Sequence, residues 1–212
     1  DVPQRGGWSS PVLIASGTRR EVVLNGFNGV TSYDPASGKK LWFCKSFAGR
    51  GEPTATFGNG LVLMVNGLSG DIYAVRPGGE GDVTETQMAW HTPRKAGRDQ
   101  PSPIVVGDVM IVVSMDGIGC AYDVVSGREL WKERLGGRFT SSPIAANGLL
   151  YIQSDSGETI VIKPGSQLSI VSRNALPIAP NEIFRASLAT SRGQMFSRSN
   201  KALYCLTSSK GQ

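Results

Sequence analysis

One pattern of 11 residues occurs twice in the sequence, and this repetition restricts the possible folds more than any other feature. It spans residues 32–42 as SYDPASGKKLW and returns over residues 121–131 as AYDVVSGRELW. The shared frame is a small residue, Tyr, Asp, two variable residues, Ser, Gly, a basic residue, a variable residue, Leu and Trp. Such an internal repeat indicates an architecture in which similar units stack on one another.

The frame predicts a β-hairpin in each copy. Asp34 and Asp123 carry carboxylates that can accept hydrogen bonds from the backbone N–H groups of a tight turn. Gly38 and Gly127 follow where such a turn needs a positive φ, which glycine adopts without steric cost. Because the two carboxylates belong to separate repeats, we interpret them as turn formers and not as a catalytic pair.

Each copy ends on a tryptophan, Trp42 or Trp131, and a more divergent repeat ends on Trp90. An indole combines a large apolar surface with one N–H donor, which suits a seam between two packed sheets. We therefore expect these three tryptophans to be docking residues that wedge neighbouring sheets together. The alternative, an ordinary core tryptophan, is disfavoured because the whole frame recurs with the tryptophan in it.

A second repeated feature gives the period of the repeat. Small hydroxyl residues begin a strand at spacings of roughly 40–48 residues, the length of one four-stranded propeller blade. The positions that we take as equivalent are Ser10, Thr54, Ser102, Ser142 and Ser187.

We therefore predict an all-β fold: a β-propeller of four-stranded antiparallel blades, forming one domain over residues 1–212. The predicted repeats, four complete and one incomplete, span residues 9–50, 51–97, 98–138, 139–184 and 185–212. In the fourth repeat we assign Val171 to the tryptophan position. An open propeller would expose a strand edge and a blade face. We interpret the chain as a segment of a longer ring, or as one of two chains that complete a ring by self-association.

Composition excludes several other classes of protein. No window holds about 18 consecutive apolar residues, so no membrane span is predicted. The sequence does not begin with a basic and apolar signal segment, so we expect that a signal was removed or that the chain is part of a longer protein. The three cysteines, Cys44, Cys120 and Cys205, are far apart and form no zinc or haem motif. The net charge of +5 permits an acidic partner.

The repeated frame resembles the tryptophan-docking motif Ala-x-Asp-x-x-Thr-Gly-Lys-x-x-Trp of the quinoprotein, or PQQ-like, β-propeller repeat. Residues 121–131 match with Ser126 for Thr and Arg128 for Lys, and residues 32–42 match with Ser32 for Ala and Ser37 for Thr. The resemblance covers nearly the whole chain. It implies a ring of seven or eight blades and an extracytoplasmic bacterial location, either periplasmic or secreted.

The same resemblance implies two main functions. One is a non-catalytic scaffold that binds a protein or a small ligand, with no cofactor and no metal. The alternative is part of a pyrrolo-quinoline-quinone dehydrogenase, with PQQ and calcium as cofactors; a third reading is a sensor domain attached to a kinase. The sequence lacks the adjacent cysteines common in the dehydrogenases, and its only histidine, His91, follows Trp90 on a predicted outer strand. We therefore predict no catalytic residue and no nucleic-acid partner, and we favour the scaffold.

Arginines recur in the loops that enter the repeats, at Arg5, Arg50, Arg98, Arg138 and Arg185. In a propeller these loops open on one face around the central channel, where guanidinium groups can bind carboxylate or phosphate. We predict an acidic ligand or partner segment at this face. The candidate binding residues are Arg50, Arg98, Arg138, Arg185, Trp8 and Phe139, with Phe184 beside them. The alternative is that the arginines pair locally with Glu52, Asp99 and Glu182.

Overall fold

The computed structural model of the protein describes residues 7–45, 50–68, 70–94 and 101–207. Within these residues the chain forms twenty β-strands and one helix of four residues. The strands belong to five separate sheets, which we number as blades 1 to 5 in chain order. In each blade consecutive strands pair antiparallel, so the fold is a series of meanders.

Blade 1 contains β1 (Val12–Ser16), β2 (Arg19–Asn25), β3 (Gly29–Tyr33) and β4 (Lys40–Lys45). Blade 2 contains β5 (Thr56–Gly58), β6 (Leu61–Val65), β7 (Ile72–Val75) and, after an insertion, β9 (Met88–Thr92). The insertion carries β8 (Gly81–Asp82) and the helix α1 (Thr84–Gln87). Strand β8 leaves its own blade and pairs in parallel with β4, so blade 1 has five strands.

Blade 3 contains β10 (Ile104–Val106), β11 (Val109–Val113), β12 (Ile118–Asp123) and β13 (Glu129–Arg134). Blade 4 contains β14 (Ile144–Ala146), β15 (Leu149–Gln153), β16 (Glu158–Lys163) and β17 (Ser169–Ala175). Blade 5 contains β18 (Ala189–Ser191), β19 (Gln194–Arg198) and β20 (Leu203–Leu206).

The core lies between the blades. Strands β6 and β7 are buried along their whole length, because residues on both faces of a middle strand meet a neighbouring blade. One apolar cluster joins Val30 and Trp42 of blade 1 to Met64 and Tyr73 of blade 2. Two further clusters join blade 2 to blade 3 and blade 3 to blade 4. The continuous apolar runs in the sequence are therefore strands covered on both sides.

A β-bulge in each complete blade determines which residue reaches the seam. The register shifts between the third and the outer strand, and after the shift Trp131 lies opposite Ala121. In blade 4 the residue at this position is Ser172, opposite Val161, so the assignment of Val171 to the tryptophan position is wrong by one residue. The reason is a hairpin longer by one residue, since Ile162 pairs with Ile170.

The small hydroxyl residues at the starts of the repeats form a ladder of hydrogen bonds from blade to blade. The backbone N of Ser10 donates to Thr54 Oγ1 at 3.2 Å, and the N of Thr54 donates to Ser102 Oγ at 2.9 Å. The N of Ser102 donates to Ser142 Oγ at 2.9 Å, and the N of Ser142 donates to Ser187 Oγ at 3.0 Å. This hydroxyl ladder aligns the loops that enter the blades.

Candidate functional site

The loops that enter the blades lie at the same end as the turns between the second and third strands. Backbone hydrogen bonds connect a loop to a turn in three places: Gly67 N to Arg50 O at 2.8 Å, Asp155 N to Arg138 O at 2.7 Å, and Asn200 N to Ile183 O at 3.0 Å. We call this end the loop face, and it comprises residues 7–10, 26–28, 50–55, 66–68, 101–103, 114–117, 136–142, 154–157, 178–187 and 199–201.

Two predicted arginines project from equivalent positions on the loop face. The Arg50 guanidinium lies 3.5 Å from a Glu52 carboxylate oxygen and 5.7 Å from the centre of the Trp8 ring. Arg138 Nε lies 3.6 Å from an Asp155 carboxylate oxygen. Their side chains remain 41% and 58% exposed. Ion pairs this open to water contribute little stability, so both guanidinium groups can exchange their local partner for another carboxylate.

Arg185 is also on the loop face, but it is not equivalent to Arg138. Ile183 occupies the equivalent backbone position, as its hydrogen bond with Asn200 shows. Arg185 is exposed and makes no hydrogen bond or ion pair with the residues that the structure describes. The last predicted arginine of the face, Arg98, lies outside the described residues, as do Arg5 and Asp99.

Glu182, which we considered as a local partner of Arg185, is used differently. Its buried carboxylate accepts hydrogen bonds from Ser199 Oγ, from the backbone N of Ala179 at 2.9 Å and from the Tyr204 hydroxyl at 2.8 Å. These three donors hold the pKa of the Glu182 carboxyl below its ordinary value. Glu182 therefore stabilises the loop that carries Arg185 and leaves the guanidinium to solvent.

The aromatic candidates divide into an exposed and a buried set. Trp8 is 64% exposed beside Arg50. Phe139 and Phe184 are fully buried, and Phe139 packs in the cluster between blades 3 and 4. The Phe139 ring is therefore not available to a ligand at the loop face, because neighbouring residues of an extended loop point in opposite directions. Adjacency to Arg138 in the sequence does not indicate a shared surface.

Three exposed aliphatic residues on the loop face escaped the sequence prediction. They are Leu68, Ile178 and Ile183, with exposed fractions of 54%, 41% and 38%. Leu68 lies in the turn between β6 and β7, where an apolar residue is unusual. The loop face thus combines exposed guanidinium groups with exposed apolar side chains.

The two aspartates of the repeated frame organise their hairpin turns. Asp34 Oδ1 accepts hydrogen bonds from the backbone N and the hydroxyl of Ser37, at 2.7 and 2.9 Å. Asp123 Oδ1 accepts the same pair from Ser126, at 2.8 and 2.6 Å. In both turns these hydrogen bonds lower the pKa of the aspartate below its ordinary value. Gly38 follows with a φ of 70°.

Trp90 and Trp131 each contact the hairpin of the next blade. Trp90 Nε1 donates to Val124 O at 3.0 Å, and its ring covers Gly127, whose φ is 70°. A Cβ atom at Gly127 would stand 2.5 Å from the indole. Trp131 Nε1 donates to Gly165 O at 3.2 Å.

Trp42 has a different hydrogen-bond partner, although it occupies the same place in the frame. It is fully buried in the seam between blades 1 and 2, but its Nε1 donates to Glu21 Oε2 of its own blade at 2.5 Å. The buried Glu21 also accepts from Ser32 Oγ at 2.6 Å and pairs with Arg19 at 2.8 Å. Arg19 then reaches blade 2 by donating to Gly79 O at 3.0 Å.

The possible metal ligands among the described residues are dispersed over the blades. In that part of the chain no three His, Cys, Asp or Glu side chains gather closely enough to hold a metal ion. His91 is half-buried on the outer strand β9, 3.8 Å from Asp71 Oδ2. Cys44 and Cys120 are buried on separate blades, and burial raises the pKa of Cys44 to about 11. Within the described residues there is thus no such cluster for the calcium ion that the dehydrogenase alternative requires.

The stacked four-stranded meanders, with indoles contacting the next hairpin, define a PQQ-like β-propeller protein. The family model described as "Outer membrane protein assembly factor BamB" matches residues 26–167, more than half of the chain, and the chain belongs to this family. The predicted propeller fold and the PQQ-like resemblance are thereby confirmed. No curated protein matches the chain significantly in sequence.

Solved structures show the same fold at low sequence identity. BamB from Moraxella catarrhalis is 13% identical, with a TM-score of 0.73, and the match covers 97% of this chain and 62% of that one. The chain thus spans less than two thirds of that BamB chain. The computationally designed protein Ika8 is 10% identical, with a TM-score of 0.62, over 94% of this chain and 71% of that one. Among the described residues no helix has the length and apolarity to cross a membrane.

Proposed function

We propose that this chain is a non-catalytic, cofactor-free scaffold that binds a partner protein through its loop face. The observation that carries the proposal is the exposure of Arg50, Arg138 and Arg185 on that one face, beside exposed aliphatic residues. A guanidinium fork binds a carboxylate through two parallel hydrogen bonds. The partner is therefore an acidic segment that also carries apolar side chains.

Several features of the loop face favour a protein segment over a small acidic ligand. The guanidinium groups of Arg50, Arg138 and Arg185 belong to the entrance loops of three different blades, so a segment that crosses several blades could contact all of them. The exposed side chains of Trp8, Leu68 and Ile183 add apolar contact area to the same face. Aromatic and arginine side chains also contribute most of the binding energy in protein interfaces. The family description, which names a protein assembly factor, also supports a protein partner.

The same family description supports an extracytoplasmic location in bacteria, because it concerns the outer membrane. Completion of the ring, either by further repeats or by a second copy of the chain, remains part of the proposal. Light scattering tests the second possibility directly, since a dimer in solution would support ring completion between chains and a monomer would oppose it.

The proposal is tested with an end-blocked peptide that alternates glutamate and leucine, titrated by fluorescence anisotropy. The double variant Arg138→Gln/Arg185→Gln should bind the peptide about tenfold more weakly, because two charge-assisted contacts are lost. The matched control is Arg20→Gln/Arg128→Gln, which removes the same charge from exposed arginines at the opposite end of the blades. The control should keep its affinity within about twofold.

Two outcomes would contradict the proposal. Equal losses in both double variants would mean that the peptide responds only to net charge, and unchanged binding in Arg138→Gln/Arg185→Gln would remove the loop face as the site. Free glutamate, used as a competitor, separates a small acidic ligand from a protein segment. Strong competition by the amino acid alone would favour the small ligand.

A further inference from the structure

The outer strands of blades 1 to 4 form the circumference of the arc, and each presents one strand edge away from the axis. Strands of this kind are usually protected, because unpaired N–H and C=O groups invite pairing with another chain. In blade 1 the protection is a strand: β8 pairs with β4, with Trp42 opposite Gly81 and Phe43 opposite Asp82. Lys45 N extends the contact by donating to Thr84 Oγ1 at 2.9 Å.

Blades 2 and 3 have other forms of protection. Every residue of β9 is half-buried, so this outer strand offers little open surface. Strand β13 has the sequence ELWKER, and four of its six residues are charged. Charged side chains along an edge oppose the addition of a further strand, because pairing would force them together or out of water.

Strand β17 of blade 4 lacks all of these protections. It has seven residues and is the longest of the four outer strands, and no strand in the described part of the chain pairs with its outer edge. Ile170 and Val171 are 42% and 56% exposed. Its only charged residue, Arg173, folds back to donate to Glu158 Oε2 at 3.1 Å and to Leu135 O at 2.8 Å. The outer edge is therefore long and open, with two exposed aliphatic side chains, and its single charged side chain is held by acceptors of blades 3 and 4.

We propose that β17 is a strand-addition site, which binds an extended and uncharged segment of a partner protein as a fifth strand of blade 4. The segment would alternate small polar residues with β-branched apolar residues, to match the pleat and the exposed Ile170 and Val171. Blade 1 is the internal precedent, because the equivalent outer strand β4 already carries an added strand. Since β17 lies on the circumference, blades added at either end of the arc would leave its edge open.

This site is separate from the loop face in position and in chemistry. Strand addition depends on backbone hydrogen bonds and apolar contact, whereas the loop face depends on guanidinium groups. The two sites therefore respond to different variants, and either one can fail without the other.

The experiment uses the whole chain and an end-blocked peptide of alternating valine and threonine, about as long as β17. Binding is followed by fluorescence anisotropy, and the bound strand is located by amide hydrogen exchange. The variant Val171→Lys should weaken binding about tenfold, because it places a charge on the edge. The control Val125→Lys changes a valine that is 63% exposed in the hairpin between β12 and β13, and its affinity should stay within about twofold.

Amides of residues 169–175 should exchange more slowly when the peptide is bound, while those of β9 and β13 should not change. Ile170→Glu is a second variant with the same expected loss, and Arg138→Gln/Arg185→Gln should bind this peptide normally. Absence of binding, equal affinity in Val171→Lys, or slowed exchange on another strand would each overturn the proposal.

Discussion

Trp90 Nε1 of blade 2 donates a hydrogen bond to the carbonyl oxygen of Val124 in blade 3, at 3.0 Å. The bond fixes an indole of one blade on the hairpin turn of the next, so the side chain acts between two units of the repeat. Because the chain builds its core between blades, such contacts stabilise the stacking more than the individual sheets.

Replacing Trp90 by phenylalanine should lower the free energy of unfolding by about 1–3 kcal/mol, from the lost hydrogen bond and the smaller ring. Urea unfolding followed by circular dichroism measures the change. Trp8→Phe is the control, since Trp8 is 64% exposed, and it should leave stability within about 0.5 kcal/mol. Equal effects in the two variants would mean that the docking contact is not stabilising.

Gly127→Ala should destabilise the protein more than Gly38→Ala does. Both glycines have a φ of 70° at the same place in the frame, so the backbone strain is matched. Only at Gly127 would the new Cβ meet the Trp90 ring, at 2.5 Å, while Gly38 has open space around it. We expect a difference of about 1–3 kcal/mol between the two variants in urea unfolding. Equal destabilisation would show that the indole moves away at no cost.

Glu21→Ala should be among the most damaging single changes in blade 1. The substitution leaves Trp42 Nε1 and Ser32 Oγ without their acceptor in a fully buried site, and it leaves Arg19 without its partner. The expected loss is about 3 kcal/mol or more. Glu85→Ala, in the first turn of α1 and outside the core, is the control and should be near neutral. Thermal unfolding of both variants checks the prediction.

The stability of the protein should fall in acid partly through Glu182. Hydrogen bonds from Ser199, Ala179 and Tyr204 hold its folded-state pKa below the unfolded value. The contribution is therefore complete above the unfolded pKa, which is about 4.3 for glutamate, and it is lost as the pH falls through the folded pKa. Glu182→Gln should be less stable than the unaltered protein at neutral pH.

The free energies of unfolding of Glu182→Gln and of the unaltered protein should become equal as the pH falls through the folded-state pKa of Glu182. Urea unfolding at several pH values between neutrality and strong acid measures the difference. A stability gap that stays constant with pH would mean that the Glu182 carboxylate is not the group that titrates.

The sequence predicts the architecture well because the repeated frame contains its own turn chemistry. Asp123, Ser126 and Gly127 are close in the chain, so their hydrogen bonds and φ angle follow from local spacing. Partners distant in the chain are harder to predict. Trp42 and Trp131 occupy the same place in the frame, yet Trp42 Nε1 donates to Glu21, a residue outside the frame, whereas Trp131 Nε1 donates to the next blade.

The loop face was predictable in part for the same reason. Repetition identified Arg50 and Arg138 as equivalent, and both project from the loop face. It did not reveal that Arg138 lies beside Asp155, nor that Phe139 is buried, because both depend on how blade 4 packs against blade 3. The sequence did not indicate that the hairpin before Ser172 is longer by one residue, because the spacing of the repeats does not show where a β-bulge occurs.

The hydroxyl ladder has a consequence for how this fold tolerates change. Each rung joins a backbone N–H to the hydroxyl of the next blade, so alignment near the axis depends on one small side chain per blade. Sequence can then be inserted far from the axis without disturbing that alignment, as residues 78–87 demonstrate in blade 2. Insertions can therefore accumulate during evolution at the circumference of such a protein while the innermost strands keep their alignment.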